Sequence, residues 1–239
     1  MAAPSYTAVL ERIQVMTDNV RSFRVRFQNA PAFAFKAGQF MIVNVPKDGK
    51  TVKRAYSIAS SPYDPGVVEF CIQHLEGGIA STYFWNLKEG DALSISGPHG
   101  NFVLRRPVDY DVVFMATGTG VAPLRSMIHE LFHQNTQRAV WLLFGTRYEN
   151  ALLYHEEFLQ LAAQKKNFHY IPTISRPQKW PGATGHIQQT FQKTFSPLPA
   201  GVNNKQVYLC GWLEVIKAIC NDLSASGVPR EQLHYEEWG

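Results

Sequence analysis

The residues with the plainest chemical meaning are Ala116-Thr117-Gly118-Thr119-Gly120-Val121-Ala122-Pro123. They follow a continuous apolar run, Val112 to Ala116, and precede a helix-forming stretch. Glycines let the chain turn tightly and approach a ligand closely. The helix N-terminus that follows offers unpaired N–H donors to a phosphate. Pro123 suits a first helical turn. The spacing is not Gly-x-Gly-x-x-Gly, so the dinucleotide fingerprint does not transfer directly. By itself the stretch fits a nucleotide-phosphate site or a plain strand–helix turn. A second group is Arg54-Ala55-Tyr56-Ser57. On a strand, Arg54 and Tyr56 share one face and Ala55 and Ser57 the other. Arginine can fork onto a phosphate and tyrosine can stack on a planar ring. In isolation the same residues make an ordinary amphipathic strand. The third group, Gly77-Gly78-Ile79-Ala80-Ser81-Thr82, again sets glycines before a helix. It is a second anion site at a helix N-terminus, or a helix entry capped by Ser81 or Thr82.

Other chemistries fail on residue type. Cys71, Cys210 and Cys220 form no Cys-x-x-Cys pair, which excludes a disulfide framework, a structural zinc and an iron–sulfur cluster held by this chain. His129 and His133 lie four apart without the glutamate of His-Glu-x-x-His, so they belong to a solvated helix face and no metal site is expected. No Gly-x-Ser-x-Gly elbow is present for serine hydrolysis. Nucleic acid is a weak reading, because the Lys and Arg residues are scattered without aromatic interleaving.

The elements that must position these groups differ between the halves of the chain. Up to about Leu104, short β-branched and aromatic runs alternate with turns: Phe23–Phe27, Gln39–Val45, Val67–Ile72 and Ala92–Ile95. That pattern predicts an antiparallel β-barrel, interrupted by one helix over Ile79–Leu87. From Asp111, strands and helices alternate. Strands are expected at Val112–Ala116, Val140–Phe144, Tyr170–Ser175, Val207–Cys210 and Leu233–Trp238. Helices are expected at Pro123–His133, Leu152–Gln164, His186–Phe195 and Leu213–Ala225. This predicts an α/β domain with a parallel sheet covered on both faces. The boundary falls at Arg105-Arg106-Pro107, giving domains 1–106 and 107–239.

At 239 residues with 45% hydrophobic and 18% charged residues, the composition is globular. The apolar stretch Val112–Leu124 is broken by Gly118, Gly120 and Pro123, so no membrane span is expected. The first ten residues lack a secretory pattern, and a cytoplasmic location is expected. The net charge of +4 sits wholly in residues 1–106, while 107–239 is neutral. A bland solvated surface accounts for this, or a docking face for an acidic partner.

Taken together, the motifs resemble the ferredoxin–NADP reductase-like flavoprotein family over about residues 6–239. They run in order: Phe35-Lys36-Ala37-Gly38-Gln39, Arg54-x-Tyr56-Ser57, Gly78-x-x-Ser81, Gly97-Pro98-His99-Gly100-Asn101-Phe102, the Gly118 to Pro123 turn, Ser175-Arg176-Pro177, Tyr208-Leu209-Cys210-Gly211 and Glu236-x-Trp238. The resemblance implies FAD in the barrel domain and NADPH or NADH in the α/β domain. A hydride would pass from nicotinamide C4 to flavin N5, and single electrons would go to a separate ferredoxin or flavodoxin. Arg54 would bind the flavin phosphate, with Ala55 beside it. Tyr56 would stack on the isoalloxazine, and Ser57 would lie beside N5. Cys71, Ile72 and Gln73 match the strand that passes the flavin. Gly78, Ile79, Ala80 and Ser81 match the pyrophosphate turn, which favours FAD over FMN. Thr119 would lie where flavin and nicotinamide meet.

Gly118, Gly120 and Val121 would cradle the coenzyme pyrophosphate. Ser175 and Arg176 match the pair that holds the 2′-phosphate of NADP, with Arg147 at the adenosine end, so NADPH is favoured. Cys210, with Gly211, and Glu236 would flank the nicotinamide, and Trp238 would cover the flavin. Ser57, Cys210, Glu236 and Trp238 are thus the candidate catalytic residues, positioning rings rather than acting as nucleophiles. Without the motif, Cys210 is an inert buried thiol, and Trp238 could simply pack at the domain seam. The absence of iron–sulfur ligands sets the chain apart from fused oxygenase reductases. Two other functions fit the same residues: a reductase of free flavin or small acceptors, and a flavin electron-transfer subunit of a larger complex.

Overall fold

The computed structural model describes residues 4–238, in two compact units. The first holds residues through Leu104 together with Arg125–Gln134. The second holds Arg105–Leu124 and the chain from Asn135 onward.

The first unit contains β1 (Ser5–Thr17), β2 (Val20–Phe27), β3 (Phe40–Lys47), β4 (Lys50–Ser57), β5 (Val67–Gln73), α1 (Ile79–Asn86) and β6 (Ala92–His99). The six strands pair antiparallel in the order β4-β3-β6-β1-β2-β5. An isolated antiparallel bridge, Ile58↔Phe70, joins the two ends of that order and closes the barrel. Alternation sorts the side chains. On β2, Phe23, Val25 and Phe27 point into the core, while Arg24 and Arg26 meet Glu11 of β1 outside. Helix α1 inserts Phe84, which is fully buried against Phe23 at 4.9 Å and Tyr56 at 5.2 Å between ring centroids. In the same unit, Arg125 donates to the Ala59 carbonyl at 2.8 Å and pairs with Glu69. Glu69 also accepts the Ser22 hydroxyl at 2.7 Å.

The second unit contains β7 (Asp111–Thr117), β8 (Val140–Thr146), α3 (His155–Gln164), β9 (Phe168–Ile174), β10 (Ala183–Thr184), α4 (Ile187–Thr194), β11 (Lys205–Trp212), α5 (Leu213–Ala225) and β12 (Leu233–Trp238). Helix α2 (Val121–His133) begins in this unit. Every strand pair is parallel, in the order β10-β9-β8-β7-β11-β12. One sheet face carries Val113, Met115, Leu143, Val207 and Leu209, covered by Ile187 and Phe191 of α4 and Ile216, Ile219 and Leu223 of α5. By register, Phe168 and Tyr170 lie on the opposite face, where Phe158 of α3 meets both rings. The two-domain architecture, an antiparallel barrel and a parallel α/β sheet, is the one the sequence predicts. Among the described residues, no helix is long and apolar enough to cross a membrane.

Most element limits shift by a few residues, and two differences have a plain local cause. Helix α3 starts at His155 rather than Leu152, because Tyr154 takes a left-handed conformation (φ 56°) that no helix continues through. The two-residue strand β10 was not expected. It is too short for alternation to mark it.

Phe84 joins α1 to the barrel core, so its removal tests how firmly that helix is held. Phe84→Ala should cost about 3–5 kcal/mol, the usual loss for a buried phenylalanine. Denaturant unfolding followed by tryptophan fluorescence checks it, since Trp85 neighbours the site. A loss below about 1 kcal/mol would show that α1 is not part of the core.

Candidate functional site

The strand order of the parallel sheet reverses between β7 and β11: β8, β9 and β10 follow on one side and β12 on the other. In open parallel sheets, ligands bind beyond the carboxyl ends of the strands at such a reversal. The candidates of the second unit lie at that end of the sheet. Beyond Thr117 the chain makes a single 3-10 turn, Gly118–Gly120, and enters α2 at Val121. Gly118 is exposed with φ 53°, and a Cβ there would meet nothing within 4 Å. Gly120 is buried. Its Cβ would lie 2.1 Å from the Cys210 carbonyl oxygen and 2.8 Å from the Gly211 nitrogen. Only glycine lets this turn rest against the end of β11. Thr119 is half-buried, and Val121 is buried with its N–H directed back to the Gly118 and Thr119 carbonyls.

Register brings the C-terminal candidates to the same end. Cys210 pairs with Ala116 on one side and Glu236 on the other, and Trp212 pairs with Trp238. Gly211 is buried against Thr117, whose Oγ1 would lie 2.4 Å from an added Cβ. Cys210 is fully buried. That burial, and then the Glu236 carboxylate, push its thiol well above its ordinary value, with the Gly211 N–H opposing. Cys210 is therefore a neutral thiol. Glu236 and Trp238 are half-buried on β12.

Arg147, Ser175 and Arg176 sit beyond the ends of β8 and β9, where the ladder continues past the strands. The Ser175 N–H donates to Thr146 O at 2.9 Å, and the Arg176 N–H to Arg147 O at 2.8 Å. Both arginines are exposed and Ser175 is half-buried. Beside them lies a cavity of about 600 Å³ lined by Tyr148, Glu149, Asn150, Gln178 and Lys179. Glu149 accepts the backbone N–H groups of Gln178 (2.7 Å) and Lys179 (2.9 Å) on one carboxylate oxygen. Its own N–H and those two hold the carboxyl below its ordinary value, although burial opposes them slightly. Sequence reasoning missed this group, since its partners stand 29 and 30 residues away.

In the barrel unit, Arg54 and Tyr56 lie opposite Val43 and Met41, and Ala55 lies opposite Ile42. Arg54 and Ala55 are exposed, while Tyr56 and Ser57 are half-buried. Arg54 donates to the Lys53 carbonyl at 2.9 Å. The Tyr56 ring packs edge-on against Phe84, and burial pushes its hydroxyl up to about 12 despite the nearby Arg54. Cys71 and Ile72 are buried on β5, and Gln73 is exposed at its end. Gly78 precedes α1, Ile79 is half-buried and Ala80 buried. Ser81 does not cap the helix. Its hydroxyl accepts the Leu75 N–H and reaches the Leu75 and Gly78 carbonyls, each at 3.1 Å. It thereby fixes the turn, and the first-turn N–H groups of α1 have no side-chain cap.

Comparison with known proteins matches each unit separately. Residues 7–104 match the oxidoreductase FAD-binding domain, and residues 114–221 the oxidoreductase NAD-binding domain. The chain is 33% identical over 241 residues to ferredoxin–NADP reductase B of Sorangium cellulosum, covering 99% of this chain and 98% of that protein. It is 34% identical over 238 residues to the phenol hydroxylase P5 protein of Acinetobacter pittii, covering 98% of this chain but 65% of that longer relative. In fold it is similar to a cytochrome P450 reductase from Amycolatopsis, with a TM-score of 0.88 at 24% identity over 98% of this chain and 69% of that one.

The state of Cys210 gives a pH prediction. Its folded pKa lies above the unfolded one, so its contribution to stability is whole below the ordinary thiol value of 9.0 and lost as pH rises beyond it. Native protein should resist alkylation at Cys210 up to about pH 9, and stability should fall above that pH. Mass-spectrometric mapping of iodoacetamide adducts, native against unfolded, reads the first. Rapid native labelling of Cys210 near pH 8 would rule out the buried neutral thiol.

Proposed function

This chain belongs to the ferredoxin–NADP reductase-like family of FAD/NAD(P)H flavoprotein oxidoreductases, and from that premise we propose that it moves a hydride between NAD(P)H and FAD and exchanges single electrons with a separate ferredoxin or flavodoxin. The observation that carries the reading is the open turn at the sheet reversal, where Gly120 rests against Cys210 and Gly211, and Glu236 pairs beside Cys210. The residues present fit the two groups. Space above Gly118 admits a pyrophosphate, and the uncapped first turn of α1 suits a second one. FAD, when bound, accepts electron pairs from reduced nicotinamide and releases them singly.

The protein's part is to hold and orient. On this reading Arg54 binds the flavin phosphate, and Tyr56 stacks on the ring system from a position its contact with Phe84 fixes. Gly78, Ile79, Ala80 and Ser81 shape the pyrophosphate turn. Ala55, Cys71, Ile72 and Gln73 line the same cofactor. Gly118, Thr119, Gly120 and Val121 form the coenzyme turn, with Arg147, Ser175 and Arg176 at its adenosine end. Ser57, Cys210, Glu236 and Trp238 orient the reacting rings, with Gly211 leaving room. NADPH is the favoured coenzyme, because Arg176 offers a guanidinium for the 2′-phosphate.

The acidic carrier is supported by the net positive charge, which falls wholly in residues 1–106. The name of the Sorangium cellulosum relative points the same way. A second reading, an electron-transfer component serving an oxygenase, is favoured by the phenol hydroxylase P5 relative. Salt-sensitive reduction of added ferredoxin supports the first. Co-purification with an oxygenase partner supports the second. Rapid turnover of free FMN by a protein with loosely held flavin would displace both.

Two substitutions test the residue roles. The purified protein should be yellow and release FAD on denaturation, and Tyr56→Ala should weaken flavin retention by about 1–3 kcal/mol, as for loss of a ring stack. Protein that is colourless and cannot be reconstituted with FAD would remove the proposal. Arg176→Ala should lower kcat/KM for NADPH about 10–150-fold and leave NADH nearly unchanged, the loss of one charge-assisted pair. Equal losses with both coenzymes would show that Arg176 does not meet the 2′-phosphate.

A further inference from the structure

Glu149 stands where an anionic side chain looks misplaced. It lines the cavity next to Arg147, Ser175 and Arg176, the residues assigned above to a phosphate-bearing ligand. A carboxylate facing a phosphate repels it, and one facing a ribose diol binds it. What decides between these roles is where its lone pairs go. One carboxylate oxygen of Glu149 accepts two backbone N–H groups, from Gln178 and Lys179. These are consecutive donors on the loop that leaves β9 through Ser175 and Arg176. The same loop is bound twice more at its start, by Thr146 O and Arg147 O. Four backbone N–H donors therefore fasten residues 175–179 to residues 146–149, and the outermost two depend on one side chain. Lys179, held by its backbone, lines the cavity.

We propose that Glu149 is a positioning residue for coenzyme selection, which fixes the Ser175–Lys179 loop so that the Lys179 ammonium joins Arg176 in binding a 2′-phosphate. The inference rests on the pyridine-nucleotide reading above and deepens it. A loop fixed before binding loses less conformational freedom when the phosphate arrives. Backbone donors are well suited to the task, because they bind the Glu149 carboxylate without using a cationic side chain. Lys179 keeps its charge for the ligand.

The test uses half-coenzymes, so that no turnover is needed. Calorimetric titration of 2′,5′-ADP and of 5′-AMP into the purified protein measures the preference directly. Glu149→Ala should weaken 2′,5′-ADP about 10-fold and change 5′-AMP less than about 2-fold, as expected for losing loop order at the phosphate alone. Lys179→Ala keeps its backbone N–H, and so the clamp. It should weaken 2′,5′-ADP by a similar factor of about 10, through loss of a cation. Glu149→Gln keeps an acceptor oxygen and should stay within about 3-fold of the parent, because a neutral acceptor still holds both N–H groups. Tighter 2′,5′-ADP binding in Glu149→Ala would mean that the carboxylate repels the phosphate, and would overturn the proposal. Greater loss of 5′-AMP than of 2′,5′-ADP would place Glu149 on the ribose, and unchanged binding would make the clamp irrelevant. Either result also overturns it. If the parent protein binds neither half-coenzyme nor NADPH nor NADH, the pyridine-nucleotide reading fails first and takes this inference with it.

Discussion

The Gly120 backbone lies so close to the Cys210 carbonyl near the end of β11 that no side chain fits between them. Much of the second unit follows from that contact. A parallel sheet that reverses its strand order must leave a gap at the reversal, because the connections depart in opposite directions. Here the gap is floored by the Gly118–Gly120 turn on one side and Cys210-Gly211 on the other. The turn cannot move outward without exposing Val121 and Leu124, both fully buried. It cannot move inward without meeting the Cys210 carbonyl. Its amides are thus fixed by packing rather than by any partner they have yet to bind, which is the preorganisation a phosphate site requires.

The start of the second unit is tied down by a different device. Tyr208 is fully buried in β11 and accepts the Arg105 backbone N–H at 2.9 Å. Tyr110 donates to the Arg105 carbonyl at 2.7 Å, and the two phenol oxygens lie 3.0 Å apart. The proton order is then forced: Tyr110 gives its proton to the carbonyl, so Tyr208 donates to Tyr110. One residue has both backbone groups satisfied by a closed ring of hydrogen bonds. Burial raises both phenol pKa values, so the ring stays protonated at neutral pH. A single Phe at either position would leave an inward-facing backbone group unpaired, where polar satisfaction is costly to lose.

What could be read in the sequence was whatever is local. The alternation in Phe23-Arg24-Val25-Arg26-Phe27 is a strand with a wet face, and the structure gives it one. The apolar run before Gly118 and the glycines themselves mark a buried strand and its turn within ten residues. Helix α5 and strand β12 have the predicted limits because Leu213 and Leu233 begin clear periodic runs. Long-range features were silent. The Glu149 clamp joins a side chain to backbone groups in another loop, and any residue type supplies a backbone N–H. Tyr154 has no sequence mark of its left-handed conformation, since such a bulky residue seldom adopts it. Ser81 looked like a cap, but its hydroxyl found closer partners behind it at Leu75 and Gly78.

The positive charge of the first half has two physical meanings, and strand β4 shows that they coexist. β4 is an edge in the sheet order, and its exposed positions include Lys50, Lys53 and Arg54. Charged side chains on an edge strand guard it from pairing with another chain, whatever else they do. A docking face for an acidic carrier therefore needs more than their presence. The proposed chemistry adds a constraint at the other end of the argument. Hydride transfer moves charge between two rings, so a side chain that changed its own charge near them would alter the potential of each. Two of the ionisable candidates are held against that. Tyr56 is pushed up to about 12 and Cys210 well above the thiol range, both chiefly by burial. Near neutral pH each keeps its proton throughout. Such groups contribute shape and fixed dipoles, which suits residues that orient rings and does not suit proton donors or nucleophiles.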